Sequence, residues 1–300
     1  MIETRRARGS WIAGTVAVVT GGARGIGAAT AAALERRGAT VATIDLDYGS
    51  GRPHGQQFVA DVRDRRALRA CLQRIRHRYG AIDIVVANAG IAPAVAALWD
   101  LPASDFEAII ETNVLGVYNT IATTLPYVLA SQGHITVVSS VAAALPGPGS
   151  AAYMASKAAI EQLGRTLRME LGGTAASTTL VYLGMVDTEM ARSLDDDRRG
   201  QLLAKRVPRM LRHPISAACA AESLVDAIHR RTPRVVLPKR WMPYLWSRGL
   251  INPVLDTAVA RDPAVQAALA ADAEDKAPRR PTAPVRARTS GAKNRRHETS

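Results

Sequence analysis

Residues 15–38 read TVAVVTGGARGIGAATAAALERRG, and the fold turns on how this stretch divides. TVAVVT (15–20) is a strand-length apolar run, and AATAAALERRG (28–38) has helical spacing that stops at Gly38. Between them lies TGGARGIG (20–27). Gly21, Gly25 and Gly27 permit a tight turn in which main-chain N–H groups approach a pyrophosphate at the N-terminus of the helix. Arg24 and Ile26 stand in the same turn. The spacing, GxxxGxG, departs from the GxGxxG of many dinucleotide folds.

Outward from this unit the pattern repeats. Strands are expected at 40–45, 82–90, 133–140, 178–183 and 234–238. Helices are expected at 63–80, 103–131, 153–171 and 216–231. Alternation of strands with helices implies an α/β, doubly wound parallel sheet of the Rossmann type, covered on both faces. One domain, 14–240, accounts for it, preceded by an N-terminal arm at 1–13 and with no internal repeat. The stretch 184–214 carries no strand signal and is expected to be a substrate loop, centred on 185–214. Residues 241–274 form a C-terminal extension, and 275–300, rich in Pro, Arg, Thr and Ser, read as a disordered basic tail.

Bulk properties exclude several classes. Two cysteines, Cys71 and Cys219, lie far apart, and none of the six histidines is paired at metal-ligand spacing, so neither a disulfide framework nor a metal site is expected. The N-terminus lacks a signal-type apolar core, and no run approaches twenty apolar residues, so a cytoplasmic chain without a membrane span is expected. The net charge is +13, but the residues from Lys276 onward hold eight Lys/Arg against one Glu and supply +7 of it. With no stacking platform or nucleic-acid motif beside it, the tail implies no specific nucleic-acid partner.

Asp45 closes the second strand, 24 residues beyond Gly21, where a carboxylate can accept hydrogen bonds from the adenosine ribose and repel a 2′-phosphate. It argues for NAD over NADP, with Arg24 as the counter-signal.

TGGARGIG at 20–27, NAG at 88–90, Asn113 in TNVLGVYNT, Ser140 in VVSSVAA and YMASK at 153–157 together resemble the classical short-chain dehydrogenase/reductase family, in order and across about 14–238. The resemblance implies hydride transfer between a nicotinamide cofactor and an alcohol or carbonyl. A free tyrosine has a pKa of about 10 and is a poor base at neutral pH. Lys157, one helical turn on, favours the phenolate of Tyr153, which makes Tyr153 the expected general acid/base. Ser140 is the expected donor to the substrate oxygen, and Ser139 its rival points to the other face of the strand. The resemblance further gives Lys157 the nicotinamide ribose and Asn113 a backbone-anchored water that relays protons to Lys157. It gives Asp61 and Val62 the adenine, and Val186 and Thr188 the nicotinamide side. Asn88, Ala89 and Gly90 lie beside the cofactor, with Asn88 more structural. It also implies a homodimer or homotetramer packed through helices 103–131 and 153–171. One departure is Leu183-Gly184, where the family has Pro-Gly, which suggests a less rigid loop.

The expected pocket, 92–97, 141–152 and 185–212, is small-residue and apolar and suits a hydrophobic secondary alcohol or ketone, lipid or steroid-like. A catalytically inactive dinucleotide-sensing protein is the alternative. In the extension, Trp241, Tyr244 and Trp246 stand among Lys239, Arg240 and Arg248. Packing over the pocket or a subunit interface is favoured there over a weak membrane-surface contact, because Pro243 and Pro253 should interrupt a long helix.

Overall fold

β1 (Val16–Thr20) is buried along its whole length and runs straight into α1 (Gly25–Arg36). The chain is seen here as a computed structural model that describes residues 11–49, 56–92, 95–195, 198–205 and 207–270. Most of the N-terminal arm and the whole basic tail lie outside the described residues, as do 93–94, 196–197 and 206 within the expected pocket.

β2 (Thr40–Asp45) pairs parallel with β1, and β3 (Gln57–Val59) pairs parallel with β2. After α2 (Arg65–Tyr79) comes β4 (Ile84–Ala87), which pairs with β1 on its other side. α2 begins where the Asp64 carboxylate accepts from the N–H groups of Arg66 and Ala67, and ends at left-handed Gly80. β5 (His134–Ser140), β6 (Ser177–Leu183) and β9 (Arg234–Leu237) complete a seven-stranded parallel sheet in the order β3-β2-β1-β4-β5-β6-β9. The expected doubly wound sheet is present, with one more strand than the periodicity shows. QFV at 57–59 is too short to give a pattern. The order reverses between β1 and β4, so their carboxyl ends open a crevice at the Gly-rich turn.

The two faces bury separate cores. On one, Leu68, Leu72 and Ile75 of α2 meet Val117, Ile121 and Ile160. On the other, Leu34 of α1 meets Leu224, Val225 and Ile228 of α9 (Ala217–His229). Arg36 and Arg37 bind Glu222 and Asp226 along that second seam.

Three expectations are corrected. The helix foreseen at 103–131 is α3 (Ala103–Ile109), a π-turn (Ile110–Leu115) and α4 (Gly116–Ala130). In the π-turn the Gly116 N–H bonds the Glu111 carbonyl, and the extra residue turns Asn113 fully inward. The supposedly irregular 184–214 holds β7 (Val186–Asp187), α6 (Glu189–Asp195), α7 (Arg198–Ala204) and α8 (Arg209–Arg212), and β7 pairs with β8 (Ile215–Ser216). Finally, the extension is helical: α10 (Met242–Ala260) and α11 (Pro263–Ala270). Pro243 sits in the first turn of α10, where its missing N–H is harmless. Pro253 lies within α10, and its exposed surroundings let water satisfy the released carbonyl. No helix among the described residues is long and apolar enough to cross a membrane.

Candidate active site

The Gly-rich turn leaves β1 at the crevice and feeds the N-terminus of α1, where Arg24 provides no side-chain cap. Gly25 has φ +57, a left-handed conformation, and a Cβ there would point at the Thr188 methyl 3.5 Å away. A Cβ on Gly27 would lie 2.0 Å from the Gly21 carbonyl, so only glycine lets the helix approach the turn. Thr188 therefore faces the cradle. Its Oγ1 accepts from the Ala191 N–H at 3.3 Å, while Val186 is buried in the β7 ladder. Ile26 packs on the α1–α9 core.

Asp45 lies across the turn. Its Oδ2 accepts from the Ala23 N–H at 2.9 Å and its Oδ1 from the Leu46 N–H at 2.8 Å. Each carboxylate oxygen retains a lone pair for a ribose hydroxyl. Arg24 is ion-paired with Glu189 of α6 at 3.2 Å, an exposed contact that links the cradle to the substrate loop. The Ala60 N–H bonds the Asp45 carbonyl and so brings Asp61 and Val62 alongside. The Asp61 carboxylate is held below its usual pKa range by Arg63, whose guanidinium and N–H both bond it, against the opposing effect of burial. Val62 is buried, and its carbonyl accepts from Asn119 at 2.9 Å.

Asn88 is a brace. Its amide donates to the Thr20 and Gly21 carbonyls at 3.1 and 3.2 Å, and its N–H and that of Ala89 donate to Thr20 Oγ1. Gly90 abuts Asn113, whose Oδ1 would stand 3.1 Å from a Cβ there. These contacts fit a dinucleotide at the crevice: an uncapped helix start, a turn whose glycines either leave no room for a side chain or would strain one, and a carboxylate at the second strand's end.

The reacting end lies beyond. α5 (Ala151–Glu170) starts two residues before Tyr153, which places Tyr153 in its first turn and Lys157 one turn on. Lys157 Nζ lies 5.5 Å from the Tyr153 ring centroid. Ser140 ends β5, and its hydroxyl donates to the Leu183 carbonyl at 2.9 Å and accepts from the Ala142 N–H. Burial pushes the Tyr153 phenol up, and a hydrogen bond with Ser140 opposes that rise. Burial pushes the Lys157 ammonium down to about 8, and its nearest acceptor is the Val138 carbonyl at 3.5 Å. Ser139 faces the other way and donates to the Lys157 carbonyl at 2.9 Å, which anchors the helix.

Asn113 is fully buried. Its Oδ1 accepts from the Ile91 N–H, and its amide donates to the Ile91 carbonyl and to Ser156 Oγ at 3.0 Å. Its side chain is thus committed to holding the 88–91 turn against α5, and only its main chain is left for proton traffic. Leu183 extends β6 in register with Ser140 and Leu237, and the Gly184 N–H bonds the Leu237 carbonyl at 2.6 Å. The loosened loop expected from the missing proline is held by these ladders and by Trp241 packed on Gly184.

Three residues escape the motif reading. Ser156 joins Asn113 to the Tyr153 carbonyl, and only its place inside YMASK hints at it. Tyr244 and Asn252 of α10 both bond the Ala144 carbonyl, at 2.8 and 2.9 Å. Their i, i+8 spacing becomes a signal only once α10 is known to be one helix. Beside the 141–152 segment, Ala97, Val265 and Leu269 are buried together, with Leu203 and Val259 against them, and Gly149 abuts Leu203 and Leu269.

A sequence model described as short chain dehydrogenase matches residues 15–199. A 3-oxoacyl-[acyl-carrier-protein] reductase, FabG, of Thermotoga maritima is 32% identical over 206 residues, covering 65% of this chain and 83% of that protein. A probable oxidoreductase, EphD, of Mycobacterium bovis is 31% identical over 283 residues, 86% of this chain; the chain spans about half, 47%, of EphD. Among solved structures, one from Burkholderia phymatum, crystallised in complex with NAD, superposes with a TM-score of 0.69 at 24% identity, over 84% of this chain and 97% of the other. That last likeness establishes the fold.

Proposed function

The chain belongs to the short-chain dehydrogenase/reductase family, and on that premise we propose that it interconverts a secondary alcohol and a ketone with NAD. The observation that carries this reading is the convergence of Ser140, Tyr153 and Lys157 at the end of β5, beside the Gly-rich turn. A bound nicotinamide supplies the hydride acceptor or donor. The remaining work falls to this chain's own groups.

In the oxidation direction the Tyr153 oxygen takes the hydroxyl proton of the alcohol. Lys157 lowers the energy of the phenolate that accepts it, which is needed because burial otherwise disfavours that anion. The Ser140 hydroxyl turns from the Leu183 carbonyl to donate to the substrate oxygen. Lys157 also holds the nicotinamide ribose, and Asn113 fixes the turn that walls this end. Asp45 takes the adenosine ribose hydroxyls and disfavours a 2′-phosphate; the engagement of Arg24 with Glu189 supports NAD. Asp61 and Val62 border the adenine, and Val186 and Thr188 the nicotinamide. Ala97, Leu203, Val265 and Leu269 pack as an apolar cluster against Gly149 of the expected pocket, which supports a hydrophobic substrate. Leu115 at the end of the π-turn, Tyr118 and Leu129 of α4 and Met169 of α5 are exposed apolar positions suited to a homodimer or homotetramer.

Tyr153→Phe tests the assignment. Turnover of hydrophobic alcohols under saturating NAD should fall by at least ~100-fold, the usual worth of general acid/base catalysis. Cofactor binding and the melting temperature should persist. A Phe variant that matches an active parent across the panel removes Tyr153 from the chemistry, and a parent that binds NAD but turns over no alcohol or ketone favours a dinucleotide-sensing protein.

A further inference from the structure

α10 has two faces with opposite fates. Tyr244, Leu245, Arg248 and Asn252 point inward: Tyr244 and Asn252 hold Ala144, and Arg248 makes a two-pronged pair with Glu161 of α5 at 2.8 and 2.6 Å. These anchors recur along the helix and pin it flat against the body. On the opposite side, at helical spacing, stand Trp246, Leu250 and Val254, exposed by 74%, 83% and 72%. No packing within the described residues uses this stripe.

We propose that the outer face of α10 docks on an anionic lipid bilayer surface, with Trp246, Leu250 and Val254 entering the headgroup boundary and the helix axis parallel to the membrane. Charge selects this occupant. Lys239 and Arg240 precede the helix, Arg261 follows it, and the sequence beyond α11 holds eight Lys/Arg against four Asp/Glu, the eight cations all lying from Lys276 onward with a single Glu among them. The acids nearest the helix do not face the stripe: Asp256 lines the inner cleft beside Glu161 and Gln162, and Asp262 caps α11. A second copy of the chain is the competing occupant, and the oligomeric state of the variant tests it. A tryptophan about two turns from a pair of cations suits the water–lipid boundary.

The test is co-sedimentation of the full chain with vesicles of phosphatidylcholine alone or mixed with phosphatidylserine, for the parent and for Trp246→Glu/Leu250→Glu. The parent should bind the mixed vesicles, and the double variant should bind about tenfold or more weakly, since two apolar side chains leave the boundary. Both positions are exposed, so melting should shift by no more than about 2 °C. If it shifts further, Leu250→Ser carries the same comparison. Equal binding by parent and variant would assign the attraction to the tail alone and overturn the proposal. So would absence of parental binding, or a smaller oligomer for the variant in sedimentation velocity, which would make the stripe a protein interface.

Discussion

Replacing Lys157 by Met should make the protein more stable and leave it unable to work. Lys157 is 7% exposed, with no carboxylate against it, and burial lowers its pKa from 10.5 to about 8. At about 1.4 kcal/mol per unit, that shift amounts to about 3 kcal/mol withheld from the folded state while the ammonium is charged. Methionine keeps the stem and drops the charge. Losing the long bond to Val138 returns up to about 1 kcal/mol, so a net gain of about 2 kcal/mol is expected at pH 7. For a chain of this size, that is a rise of about 4–8 °C in melting temperature. The pH dependence is more telling. The unfolded lysine stays protonated up to 10.5 while the folded one loses its proton above about 8, so the parent gains stability as pH rises from 8 toward 10.5. The variant lacks this gain, and the gap between the two should narrow across the window. Above about pH 10 the raised Tyr153 acts in the opposite sense, so the comparison belongs below it. Urea unfolding of both proteins at several pH values measures this. A variant less stable at pH 7, or a gap that does not change with pH, would refute the reasoning.

Other outcomes follow from single contacts. Asp45→Ala should shift cofactor preference toward NADP by about tenfold or more in titrations, and a parent that prefers NADP would overturn the reading of Asp45. Arg248→Met leaves the Glu161 carboxylate, whose side chain is 5% exposed, with Arg165 at 3.8 Å and Tyr182 in place of its two-pronged partner, and should cost about 2–3 kcal/mol in urea; adding Glu161→Gln should recover part of it. Asn113→Ala removes the partner of the Ile91 N–H and carbonyl and should cost about 2 kcal/mol or more, read as a lower melting temperature.

The parts of the fold legible in the sequence are those whose signal is local. A buried strand such as VAVVT, a glycine turn and a helix with an Asp cap and a Gly stop each write themselves into a few adjacent residues. The same is true of Ser140, Tyr153 and Lys157, singled out by residue type at fixed spacing and found together in the structure. What escaped depends on tertiary pairing. QFV is a strand only because β2 offers it an edge. The π-turn at 110–115 exists because Asn113 finds Ile91 and Ser156, partners distant in sequence. The two prolines argued against α10, yet one falls in a turn that needs no N–H and the other where water replaces it. Leu183 gave the same lesson, since strand pairing supplies the order that proline's ring would have given.

Gly149, at φ +78, stands where three separate segments meet: a Cβ there would touch Val95, Leu203 of α7 and Leu269 of α11 at 2.6, 3.1 and 3.8 Å. The packing around Gly149 is therefore assembled from the middle of the chain and from its far end at once. A library confined to 185–214 samples only one side of that junction. Recombination with a relative at a crossover before α10 would exchange the other side unannounced, and leave Gly149 against side chains it does not fit.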